Sequence, residues 1–392
     1  RKKRTAAIHS LLGQALLNGK SPKEAIRHLR KAVNKDPNHL EAWAKLAYAY
    51  EQQSDFSQAK EAYATVLRKG GDSPEVLLKL IELNLKLNNP KRAMELVRRD
   101  PAGPKFFYRS CSLFMQSNMY QHASRVLELL PEPEQKSPQA LYYKAVIALR
   151  GEESTSRAMG FLQEIPSSSE LYPEGLLLQS RLLFREGDGQ KALDKARSGR
   201  QDYPGIAGFW VLEGRILLRQ DQPERARETL LNGIKETSGS QRDLLFQLGI
   251  AEQELGRTEE ALDRMESILE KDPENASALN FIGYTLVEEE RDLDRAGELI
   301  RRALELEPGN AYYLDSLAWY YYKTQQVDEA WETIQKAVSK VENDPTIWEH
   351  YADIARDLNK VGRARKAYQK ALELEPKSPE TVRDKLKGLS AE

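Results

Sequence analysis

The residues able to do chemistry in this chain are few and scattered. Its five histidines, His9, His28, His39, His122 and His350, include no H-E-x-x-H and no pair three or four residues apart, so none has the helical spacing of a metal pair. Each is expected to be an exposed or interhelical histidine. Cys111 is the single cysteine, which excludes an intramolecular disulfide and a cysteine-based zinc knuckle. The Gly256-Arg257 turn lacks both a preceding strand and the G-x-x-x-x-G-K-[ST] pattern, so it is expected to be a hairpin turn and not a phosphate cradle. Paired carboxylates are abundant, as they are on any solvated helix surface. No catalytic constellation, metal site or cofactor is expected. Two other groups are suited to recognition. Arg181, Arg185, Arg215 and Arg219 offer forked donors for carboxylates. Asn280, Tyr284, Asp315, Trp319 and Tyr322 combine aromatic rings with hydrogen-bonding groups, the composition of an interface centre.

Such residues must be carried on a scaffold, and composition restricts what that is. Of 392 residues, 40% are hydrophobic and 30% charged, a balance suited to helices that each bury one stripe. The formal net charge of -1 leaves no overall basic field for nucleic acid or an anionic membrane. No run of 18 apolar residues exists to insert into a bilayer. The chain opens on Arg1, and the expectation is of a trimmed piece whose leader, lipid anchor or further domain was removed.

One column of alanines supplies the organisation: Ala25, Ala59, Ala93, Ala123, Ala158, Ala192, Ala226, Ala261, Ala296, Ala330 and Ala364, spaced by 30 to 35 residues. A small residue recurring at that period marks the close approach of two helices in a repeated hairpin. With each alanine at position 20, position 8 is also small, as in Gly13, Ala47, Cys111, Ser180, Gly214, Gly249, Gly283, Ala318 and Ala352; only Ile81 and Val146 depart. Cys111 is therefore expected in the core. Position 4 is large in Trp43, Phe107, Tyr142, Trp210, Leu245, Leu314 and Trp348. Proline at position 17 (Pro22, Pro90, Pro223) starts the second helix, and proline at position 32 (Pro37, Pro204, Pro273, Pro308, Pro376) ends it.

Trp43, Leu46, Ala47, Tyr50, Ala59 and Tyr63 follow the W-x2-L-G-x2-Y and A-x3-F signature, so the chain resembles the tetratricopeptide repeat family. The resemblance implies an all-α, right-handed superhelical solenoid of about eleven hairpins. The expected organisation is an N-terminal tail over 1–5, repeats over 6–378 and a capping helix and tail over 379–392, where Val382, Leu386 and Leu389 form one stripe. The pattern loosens around 97–170, where the third repeat loses its second-helix end at Asp100 and Pro101 and the next two end at Pro131 and Pro166. Residues 279–286 and 314–322 are similar to repeats of bacterial envelope-associated members of the family, with Ala318 replacing the usual glycine.

Together with the 3.6-residue period, the resemblance implies that positions 2, 5, 9, 12 and 13 of each first helix line a concave wall. The four arginines with Phe184, and the group Asn280, Tyr284, Asp315, Trp319 and Tyr322, are then candidate binding residues for a protein or peptide. Trp319 is expected to stand uncovered on that wall, while Tyr320 and Tyr321 face the core. The family's carboxylate clamp for chaperones is missing, since Ser10, Gln14, Ala44 and Tyr48 occupy its positions in the first two repeats. The expectation is therefore a non-catalytic scaffold; the resemblance implies a bacterial complex, with a lean towards the periplasm or an outer-membrane anchor and the cytoplasm as the alternative. Two alternatives are the targeting arm of a larger enzyme or secretion machine, and a peptide or ligand sensor.

Overall fold

The computed structural model describes residues 2–71, 73–99, 103–239 and 241–389. Among them it is built of α-helices alone, divided into two compact units, Arg1–Glu186 and Gly187–Glu392. In the N-terminal unit the hairpins are α1 (Lys2–Asn18) with α2 (Pro22–Lys35), α3 (Leu40–Glu51) with α4 (Phe56–Arg68), and α5 (Pro74–Lys86) with α6 (Pro90–Val97). Next come α7 (Pro104–Gln116) with α8 (Tyr120–Leu127), the single turn α9 (Glu132–Gln135), α10 (Pro138–Gly151) with α11 (Thr155–Gln163), and α12 (Tyr172–Arg185). The C-terminal unit holds α13 (Gly189–Asp202), α14 (Ala207–Arg219) with α15 (Pro223–Glu236), and α16 (Arg242–Glu254) with α17 (Thr258–Leu269). It continues with α18 (Ala276–Glu288) and α19 (Leu293–Leu306), α20 (Ala311–Lys323) and α21 (Val327–Val338), α22 (Pro345–Asp357) and α23 (Val361–Glu373), and closes on α24 (Pro379–Gly388). In each unit the helices pack on their sequence neighbours, the order of a solenoid.

The spacing of small residues explains the hairpins. All eleven column alanines have no exposed surface. Facing them, a Cβ added at Gly283 would lie 2.6 Å from Ile300 Cγ1 and 3.0 Å from the Ala296 carbonyl oxygen. Cys111 is buried at the same position, its Sγ 3.5 Å from the carbonyl oxygen of the column residue Ala123, and burial pushes its thiol up to about 12. A thiol so held packs and does not attack. The turn between the two helices repeats as faithfully. A residue in the left-handed region ends each first helix: Lys20, Ser54, Asn88, Asn118, Glu153, Gly187, Asp221, Gly256, Glu290, Gln325 and Asn359. In nine of these turns the following N–H returns to a carbonyl five residues back, as in Ser21 to Leu16 and Gln326 to Tyr321, both 2.8 Å, satisfying an orphan helix-end acceptor, while Ser154 reaches six back to Ala148.

Second helices vary more than first helices. Those of the third to fifth repeats, α6, α8 and α11, have 8, 8 and 9 residues, against 14 in α2 and α19. Asp100 and Pro101, where the third repeat was expected to break, lie outside the described residues. Residues 2–5, expected as a tail, are instead the first turn of α1, because Ala6 is already buried and the helix propagates back from it. At the other end α24 buries Val382, and Leu389 just after it is also buried, while residues 390–392 lie outside the description.

Large first-helix residues fix the hairpins to the preceding loops. The indole N–H groups of Trp43, Trp210 and Trp348 each donate to the carbonyl six residues upstream, at Pro37, Pro204 and Glu342, over 2.9, 2.8 and 2.9 Å. Buried charges are likewise matched. Glu252 of α16 accepts from Arg264 of α17 at 3.1 Å and lies 3.4 Å from Arg227 of α15, tying three consecutive helices together. Removing one member of such a set would leave a buried charge uncompensated.

Candidate functional site

The aromatic group gathers on the first helices of the C-terminal unit. Asn280, Tyr284 and Glu288 stand four residues apart on α18 and therefore share one face. Trp319 of α20 donates its indole N–H to Glu288. Its ring stacks on His350 of α22, with centroids 4.0 Å apart at 13°, and on Tyr322, 5.0 Å apart at 25°. Lys323 lies 5.6 Å above the same ring and pairs with Glu290 at 2.8 Å. Tyr322 donates its hydroxyl to Asp357 at 2.7 Å. Tyr284 lies 6.3 Å from His350.

Beneath the stack lies a buried pair. His350 Nδ1 is 2.9 and 3.1 Å from the two carboxylate oxygens of Asp315, and both residues are only 6% exposed. Burial, the largest influence on His350, opposes its charge, but Asp315 with Glu288 and Asp353 outweighs burial and holds the imidazolium above its ordinary range. Burial also raises the Tyr284 hydroxyl, and the surrounding carboxylates Glu288, Asp315 and Glu349 raise it further. The face thus gathers carboxylates around one buried imidazole whose charged form they favour.

Two expectations change here. Asp315 is not an exposed hydrogen-bonding group but a buried partner of His350. Trp319 does not stand uncovered: it is half-buried, with both ring neighbours and its N–H supplied from within the unit. The reason is the 35-residue offset between Asp315 and His350, which places position 6 of the eleventh repeat over position 5 of the tenth. Glu288 stands at position 13, itself an expected wall position four residues after Tyr284, but was not singled out; His350, at position 6, was expected only as an exposed or interhelical histidine, and its offset from Trp319, the same 31 residues that separate Trp319 from Glu288, was the available signal. Tyr320 is buried and Tyr321 half-buried against the core, as their positions imply. Tyr322 remains half-buried. Asn280 Oδ1 is buried with no hydrogen-bond partner among the described residues.

The four arginines are all exposed but belong to different units. Arg181 and Arg185 stand one turn apart on α12 in the N-terminal unit, with Phe184 half-buried beside them. Arg185 Nη2 donates to Thr155 Oγ1 at 3.0 Å. Arg215 and Arg219 stand one turn apart on α14 in the C-terminal unit. Among the described residues, Arg181, Arg185 and Arg215 make no ion pair, so pairing with neighbouring Glu does not account for them. No cluster of His, Cys, Asp and Glu among the described residues has the arrangement to hold a metal ion, and no described helix is long and apolar enough to cross a membrane.

Tandem helical hairpins with their polar and aromatic groups on the first helices define a repeat protein built for display. Family models described as tetratricopeptide repeat match residues 15–76, 246–311 and 316–379. The chain belongs to the tetratricopeptide repeat family, whose solenoids are in general scaffolds for protein interaction. It is 28% identical to a TPR repeat-containing protein of Pseudomonas aeruginosa over 194 residues, 48% of this chain and 32% of that protein. It is 24% identical to cellulose synthase operon protein C of Pseudomonas fluorescens over 350 residues, 85% of this chain and 25% of that one. With the type IV pilus assembly protein PilF of P. aeruginosa it shares 25% identity over 38% of this chain and 60% of that protein. The chain thus spans a quarter to a third of the first two relatives. Among solved structures, a chain of the APC/C hetero-tetramer Cut9–Hcn1 aligns with a TM-score of 0.49 and 13% identity, covering 97% of this chain and 95% of that one. A tetratricopeptide repeat protein from Parabacteroides merdae aligns at 0.48 and 14%, covering 74% and 98%.

Proposed function

We propose that this chain is a non-catalytic scaffold that holds a protein or peptide partner on the first helices of its C-terminal unit, around Asn280, Tyr284, Trp319 and Tyr322, with Asp315 as the buried support of the face. The observation that carries the reading is Asn280 Oδ1, a buried acceptor without a hydrogen-bond partner among the described residues, on the same face as the aromatic stack. An unpaired buried acceptor is unfavourable by about 1–3 kcal/mol, and rotation of the Asn280 amide outward to a backbone N–H of an extended peptide would relieve it. Trp319 is already held in place by His350 and Tyr322, so the face needs little ordering on binding. The arginine pairs Arg181 and Arg185, beside Phe184, and Arg215 and Arg219 are proposed as separate contacts for partner carboxylates. Relatives named for cellulose synthesis and pilus assembly support a role in assembling a bacterial cell-envelope complex. A second reading, the targeting arm of a larger machine, draws on the small share of those relatives that the chain spans.

Affinity capture from a bacterial extract with the native chain, Asn280→Ala and Tyr322→Ala tests the face. One protein captured by the native chain and lost with both variants, at unchanged helical content, is the expected result. Capture of the same protein by all three would move the binding site elsewhere.

A further inference from the structure

Position 7 of a first helix is a core position of the repeat: Leu46, Leu80, Leu248 and Ile282 fill it, none more than 3% exposed. In the seventh repeat the same position holds Glu213, and it is just as buried, at 2%. Two arginines of α13 meet this carboxylate. Arg197 Nε donates to Glu213 Oε1 at 2.9 Å, and Arg200 Nε donates to Oε2 while its guanidinium lies 4.8 Å over the Trp210 ring. A buried ion set of this kind adds little or nothing to stability compared with well-packed apolar side chains, so packing alone does not account for an acid here. Its effect is to fix the two guanidiniums by their ε edges. Their η nitrogens make no hydrogen bond among the described residues.

Both arginines line a cleft of about 260 Å³ that α14 and α15 complete. From α15 come Arg225, exposed and bonded to Gln222 three residues before it, and Thr229 and Asn232, whose side chains make no hydrogen bond among the described residues. Against three guanidiniums the lining sets two carboxylates, Glu213 and Glu228, so the cleft keeps a positive charge. The second repeat has the equivalent cleft without that charge. Counted from the column alanines, Val33, Leu46 and Gln58 stand there in place of Arg200, Glu213 and Arg225. Arg30, the counterpart of Arg197, donates instead to the Tyr50 hydroxyl at 2.7 Å. The repeat therefore forms this cleft with apolar and neutral residues, and the charged ones around α14 are additions to it.

We propose that this cleft binds a phosphoryl group, with Arg197, Arg200 and Arg225 as its charged donors and Glu213 as the buried residue that positions the first two. A phosphoryl group carries about two negative charges and three acceptor oxygens, so it can use donors from two helices at once, where a planar carboxylate is satisfied by a single guanidinium fork. Thr229 and Asn232 supply the neutral donors, and the volume leaves room for the group that an ester would carry. None of these residues belongs to the face around Asn280 and Trp319, so either reading can fail without the other.

Isothermal titration calorimetry of the full chain, in phosphate-free buffer at fixed ionic strength, tests the site with inorganic phosphate and with O-phosphoserine, and with glutamate as the carboxylate control. The expected result is saturable binding of both phosphoryl probes, weakened roughly tenfold or more by Arg225→Gln. The triple variant Arg200→Val, Glu213→Leu and Arg225→Gln, which rebuilds the second repeat's cleft, should abolish it. That variant should keep its helical content and unfolding midpoint, because the chain already packs those residues at the equivalent positions. Tighter binding of phosphoserine than of phosphate assigns the site to an esterified phosphoryl group, and the reverse order assigns it to the free ion. Equal binding by native and Arg225→Gln proteins overturns the proposal, as does the absence of saturable binding of either probe. Glutamate bound as tightly as phosphoserine overturns it too, by making the cleft a carboxylate site. Because Arg225 is exposed, its single variant decides the matter even where the triple variant unfolds.

Discussion

Asp315→Asn tests whether the aromatic face rests on a charged pair. In the native protein His350 is buried, with Nδ1 bonded to the Asp315 carboxylate, and its proton affinity is raised above the ordinary range against the opposition of burial. A histidine raised in the folded state stabilises it fully below its unfolded value of 6.5, and that contribution is lost as pH rises through the folded value. Asparagine keeps the shape but removes the charge, so burial then dominates and His350 falls below 6.5. The slope reverses: the variant gains stability as pH rises towards 6.5. At pH 6 the lost charge-assisted bond is worth about 2–3 kcal/mol, below the 3–5 kcal/mol of a stranded buried charge because the imidazole can neutralise. Urea unfolding at pH 5.5 to 8.5, with NMR titration of the five histidine rings, measures both quantities. A destabilisation that grows with pH, or a His350 still raised in the variant, would refute the reasoning.

Two further predictions concern the repeat itself. Gln325 occupies the left-handed turn position at φ 63°, unfavourable for a side chain by about 1 kcal/mol, and glycine there should raise stability by about 0.5 kcal/mol after its unfolded-state entropy is subtracted; a loss in urea unfolding contradicts this. Gly283→Ala forces a methyl against Ile300 and the Ala296 carbonyl, so despite alanine's better helix propensity it should lower stability by about 1–2 kcal/mol, and a rise in the thermal midpoint would show that the hairpin yields.

The hairpin period was written in the sequence by itself, because a close helix crossing admits only a small residue and that requirement recurs with every repeat. Eleven alanines, the position-8 residues and the prolines sufficed to locate the helices and to place Cys111 in the core. The direction of Tyr320 was equally local, since 3.6 residues per turn settles which side of α20 is inside. The state of Trp319 was not local. Whether a tryptophan on an expected wall is bare or covered depends on side chains one repeat away, and only the packing of α22 on α20 brings His350 under its ring and Asp315 under His350. A helix period marks a residue as apolar on one stripe; which neighbour covers that stripe is decided by the tertiary structure, because burial belongs to pairs of helices and not to one.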